Sequence, residues 1–137
     1  MKIKKKQIQI PILNHSVFVL QASDEDMRTY LSALYNENMY DISTYNTSAM
    51  CILIKGQIYI WWRLDDDIEL SILSHEIIHA CYAIFKSRGF KLDDEELMCY
   101  LHQYILDEIL CLLDQTTNVD VTEVTDPLLT VEDELQS

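Results

Sequence analysis

Glycine and proline are scarce in this chain, with two of each among 137 residues. Neither a collagen-like repeat nor a Gly/Pro-rich low-complexity protein can be built from so few. Positive charge is scarce too: ten Lys and Arg stand against 23 Asp and Glu, a formal charge of −13. A surface that negative repels phosphate backbones, so no nucleic-acid partner is expected. No apolar run approaches the ~20 residues of a membrane span, and no membrane partner is expected either. What is present is 49% hydrophobic residues, enough for one ordinary domain with one buried core.

The start, Met1-Lys2-Ile3-Lys4-Lys5-Lys6, carries charge as a signal peptide would, but Gln7 and Gln9 then alternate with Ile8 and Ile10. Pro11 and Asn14 interrupt the next stretch, leaving no continuous apolar core of a leader, and a cytoplasmic protein is expected. Cys51, Cys81, Cys99 and Cys111 all lie in apolar stretches and form no C-x-x-C pair, so they read as small buried thiols.

Gln7 to Leu13 and Val17 to Leu20 read as a hairpin turning at Asn14-His15-Ser16, with His15 a loop residue. Ser23 is an N-cap followed by Asp24, Glu25 and Asp26, and Met27, Tyr30, Leu31 and Leu34 then recur at helical spacing. Residues from Tyr40 to Ser48 are polar and ambiguous. A second hairpin is expected from Met50 to Ile54 and Gln57 to Leu64 around Lys55-Gly56. Trp61 and Trp62 point to opposite sides of its last strand, which predicts one in the core and one lining a cleft or covering an edge.

From Ile68 to Phe85 the period becomes helical, with Asp65-Asp66-Asp67 at the negative-seeking end and Lys86, Arg88 and Gly89 at the other. A second long helix is expected from near Asp93 to about Leu113, on the stripe Leu97, Leu101, Ile105, Ile109 and Leu112. Residues 115–137 contain six acids and no Lys or Arg, −6 of the total charge. They are expected to form a mobile acidic tail, with an edge strand through Val119, Val121 and Val124 as the alternative. The expected fold is α+β: a small, mostly antiparallel sheet with an early helix, then two long helices, all within a single domain of residues 1–114. No internal repeat is found.

The first long helix contains His75-Glu76-Ile77-Ile78-His79. Residues four apart stand one turn above each other, so both imidazoles can bind one metal ion, zinc by this pattern. Glu76 is then placed to hold a metal-bound water and take its proton. The plain alternative is three surface residues on a helix. A third ligand is required, and the next helix, reversed at Gly89, offers Glu96 or Glu95. Glu96 is also three residues past Asp93, where a capping-box acid would sit. Tyr100, Tyr82 and His102 are candidate hydrogen-bond donors to a tetrahedral oxyanion. An extended peptide would lie along the strand Ile58 to Trp62.

Ser74-His75-Glu76-Ile77-Ile78-His79-Ala80, then Arg88-Gly89-Phe90, then Glu96-Leu97-Met98-Cys99-Tyr100-Leu101, resembles small phage- and prophage-encoded zinc metallopeptidase-like proteins. These are minimal gluzincins, related in plan to ImmA/IrrE peptidase domains. The resemblance covers roughly residues 10–110, with Cys99 standing where a small residue such as alanine is common. It implies zinc held by His75, His79 and Glu96, with Glu76 as general base, in a peptidase of the cytoplasm of a phage-infected or prophage-carrying cell. The other function kept open is a catalytically silent zinc-containing accessory protein with a host or virion protein partner.

Overall fold

A computed structural model of the chain describes residues 2–11, 13–36, 48–63 and 69–116. The elements in order are β1 (Lys4–Ile10), β2 (His15–Gln21), α1 (Asp24–Tyr35), β3 (Ala49–Ile54), β4 (Gln57–Trp62), α2 (Leu70–Arg88) and α3 (Glu95–Thr116). The expected α+β class is what is found. The acidic segment from residue 117, including the Val119, Val121 and Val124 strand alternative, lies outside the described residues, as do Tyr40 to Thr47 and the Asp65-Asp66-Asp67 triplet.

The four strands form one sheet in the order β1-β2-β4-β3. β1 pairs antiparallel with β2, and β3 with β4, while β2 and β4 run parallel. His15 and Ser16, expected in a turn, belong to β2, because Ile10 pairs with His15 and the reversal falls on the residues before it. Asn14 takes the positive φ of 47° there. His15 is half-buried, and its pKa is lowered first by that burial and then by Arg88.

Strand alternation sends side chains to two faces, and each face is covered. Ile8, Ile10, Val17, Val19, Ile58, Ile60 and Trp62 pack against α2 and α3. Phe18, Leu20, Ile52, Tyr59 and Trp61 pack against Met27, Tyr30 and Leu31 of α1. Both tryptophans are therefore core, at 0% and 1% exposure. The expectation that one would reach a cleft or an edge fails because the sheet is covered on both faces. Trp61 donates its indole N–H to the Ala22 carbonyl at 2.9 Å.

α2 buries Leu73, Ile77, Ala80, Cys81, Ile84 and Phe85, a stripe at helical spacing that fixes its rotation. Its N-cap is Glu69, which makes no side-chain capping bond. α3 starts two residues later than the sequence suggests. Asp94 accepts the Leu97 N–H at 3.1 Å, so Asp94, and not Asp93, caps it, and Glu96 is no capping-box partner. None of the helices among the described residues is long and apolar enough to cross a membrane.

Candidate metal centre

With Leu73 and Ile77 buried, His75 and His79 fall on the far side of α2 and are exposed. Their rings meet edge to face, with centroids 4.8 Å apart, and the two Nε2 atoms are 3.2 Å from each other. Two imidazole nitrogens on tetrahedral zinc, each about 2.0–2.1 Å from the ion, lie about 3.3 Å apart. The separation matches that spacing, although the contact is that of an N–H···N hydrogen bond, so binding an ion requires the shared proton to leave and both lone pairs to turn toward one point.

Glu76 points to the flank of α2, toward the sheet, and is half-buried. Its Oε2 accepts the backbone N–H of Cys51 at 2.6 Å. That donor belongs to β3, the last strand of the sheet on this side among the described residues. In an antiparallel pair every second residue turns its backbone groups away from its neighbour, and Cys51 and Leu53 turn theirs away from β4. The strand expected to receive a peptide, Ile58 to Trp62, is β4. It is paired with β2 on one side and β3 on the other, so it has no edge to offer. Among the described residues the edge strand is β3 instead, with its Cys51 N–H already taken by Glu76.

Between β3 and α2 lies a cleft of about 680 Å³, bordered by Cys51, Leu53, Glu76, His79, Tyr82 and Lys86 among others. Of the expected oxyanion donors, Tyr82 lines this cleft. Tyr100 is not among its lining side chains. It stacks on Tyr104 instead, with centroids 6.2 Å apart. His102 is held by Ser74, Oγ to Nε2 at 2.9 Å, which ties α3 to α2.

Among the described residues no group of three His, Cys, Asp or Glu side chains is placed to hold one ion. Glu96 is exposed, as are Tyr100, Gln103 and Asp107 at the same helical phase, opposite buried Leu101, Ile105 and Ile109. Glu95 is exposed as well. The histidine pair is thus brought together, while neither glutamate is gathered to it.

Comparison with known proteins adds no relative. No family model matches the chain, and no curated protein or solved structure matches it.

Two partners in this arrangement are not legible in the sequence. The Cys51 N–H is free to face Glu76 because β3 is the last strand among the described residues, a consequence of strand order that local pattern does not carry. Lys86 had one available signal, its position seven residues after His79, two turns along the same side of a helix. The thiols divide as well. Cys81 is buried and Cys51 half-buried, but Cys99 and Cys111 are exposed, contrary to expectation, because α3 turns their phase outward.

Proposed function

We propose that this protein is a zinc-dependent peptidase acting in the cytoplasm, on the plan of the small phage- and prophage-encoded metallopeptidases its motifs resemble. The observation that carries this reading is the 3.2 Å separation of the two Nε2 atoms, one of them on the wall of a cleft that runs beside β3, the edge strand among the described residues. His75 and His79 would hold the zinc. Glu96 is the third ligand implied by the resemblance, and its exposed side chain must turn toward the pair to serve. Zinc bound there supplies Lewis acidity, polarising a substrate carbonyl and making water easier to deprotonate.

The remaining work falls to the chain's own groups. Peptide amides of an extended substrate pair with the outward Leu53 N–H and the outward Cys51 and Leu53 carbonyls of β3, the Cys51 N–H being taken by Glu76, and this positions one carbonyl near the histidines. The Cys51 N–H fixes Glu76 through Oε2 and leaves Oε1 for proton transfer. Glu76 takes a proton from the attacking water as the hydroxyl adds to the carbonyl carbon. It then gives that proton to the amide nitrogen as the C–N bond breaks. Tyr82, at the cleft wall, is the side chain best placed to donate to the oxyanion.

The test compares zinc-loaded wild type with Glu76→Gln on a mixed peptide library read by mass spectrometry. Wild type cleaves, and the variant keeps its zinc and loses roughly 10²–10⁴ of the rate. Equal cleavage by both would remove Glu76 from the mechanism. The second reading, a silent zinc-containing protein acting on a host or virion partner, draws on the missing third donor among the described residues. Zinc-loaded wild type that cleaves nothing yet holds a stable partner supports it.

A further inference from the structure

The cleft has an apolar end that the proposed chemistry does not use. Among the described residues five large apolar side chains are exposed, and three of them, Leu53, Tyr82 and Leu92, line this one cleft. Exposed apolar surface gathered in a single concavity marks a binding site more often than scatter does. The same cleft is lined by Lys86, the one Lys or Arg on its wall among the described residues, in a chain that has only ten. No carboxylate among the described residues pairs with it. Its place in the last turn of α2 suits the helix dipole, but so does that of Arg88, whose guanidinium is instead spent on the Asn14 carbonyl at 2.7 Å.

We infer that Lys86 selects peptides carrying an acidic side chain about three residues from the bond that is cut, with apolar residues between. This rests on the peptidase reading and names its substrate class. Lys86 follows His79 by two helical turns, about 10 Å along the axis. An extended strand covers that distance in about three residues, at ~3.3 Å each. A strand laid on β3 places alternate side chains over the floor formed by Leu53, Tyr82 and Leu92, and the third residue along reaches the ammonium group. An internal Asp or Glu satisfies this with the peptide running in either direction, whereas a terminal carboxylate does so in only one. The net charge of −13 repels acidic chains at long range, so the preferred ligand is a short segment with one acid rather than a polyanionic tail.

The test uses full-length protein and fluorescein-labelled, end-blocked, leucine- and alanine-rich nonapeptides with Glu, Gln or Lys at one position. Binding is followed by fluorescence anisotropy at low salt, for wild type and Lys86→Glu. Wild type should bind the Glu peptide roughly fivefold more tightly than the Gln peptide, the scale of one partly screened ion pair. In Lys86→Glu the order should invert in favour of the Lys peptide, a change that a purely structural lysine would not produce. Equal affinities for Glu and Gln peptides, or no inversion, would overturn the inference, as would no binding of any peptide. Charge-selective binding without cleavage would sink the hydrolase and leave Lys86 its role. With zinc-loaded protein that does cleave, the cut should fall about three residues from the acid, and a cut unrelated to the acid's position also overturns the inference.

Discussion

Burial, with the neighbouring Glu76 carboxylate and the Cys81 thiol adding to it, pushes the Cys51 thiol up to about 12, and burial alone does the same for Cys81. At pH 8 both are thiols and poor nucleophiles, although Cys51 borders the cleft. Cys99 and Cys111 face solvent. Iodoacetamide applied to the folded protein should therefore alkylate Cys99 and Cys111 while Cys51 and Cys81 react roughly a hundredfold more slowly, as read by peptide mass mapping. Denaturant should erase the difference. Rapid native labelling of Cys51 would contradict the packing of β3 against Glu76. Residue type alone could not divide these four, since all lie in apolar stretches. The division follows from helical phase and from which strand lies beside α2.

The element that matters most is α2, and its ends show how much of the fold can be read locally. Gly89 was legible as a C-terminal stop. It has φ 69°, its N–H reaches the Lys86 and Phe85 carbonyls, and Phe90 closes on Phe85 with ring centroids 5.7 Å apart. A Cβ at Gly89 would meet nothing within 4 Å, so the cost of a side chain is that of the left-handed backbone alone. Gly89→Ala should lower unfolding free energy by about 1 kcal/mol in urea titration, and Gly89→Asn by less. A loss several times larger would mean that the turn is sterically closed. The Lys55-Gly56 hairpin was equally legible, and both residues have positive φ, 49° and 81°, as a tight two-residue turn requires. Strand order was not. Nothing in Ile58 to Trp62 says that it lies between β2 and β3, because parallel pairing of β2 with β4 joins segments about forty residues apart. That single non-local fact moves the sheet edge, among the described residues, from β4 to β3.

At the scale of the whole molecule, a sheet covered on both faces uses its apolar residues in two clusters, and neither cluster, among the described residues, draws on the outer side of α2 that carries His75 and His79. A helix whose inner stripe already anchors it can carry two histidines on its far side at little cost in stability, since exposed imidazoles keep their water. The class of the fold, the two long helices and the histidine pair were therefore readable from periodicity. The partnership of α3 with that pair was not, because it depends on how two helices rotate against each other. Here burial of Leu101, Ile105 and Ile109 sets the phase and leaves Glu96 outside. The central claim is that this far side binds zinc, and elemental analysis of untagged protein tests it most directly. About one zinc per chain is expected after dialysis against buffered zinc, lost in His75→Ala and in His79→Ala while each variant keeps its wild-type circular dichroism. Full zinc in both variants, or none in the wild type, would contradict it.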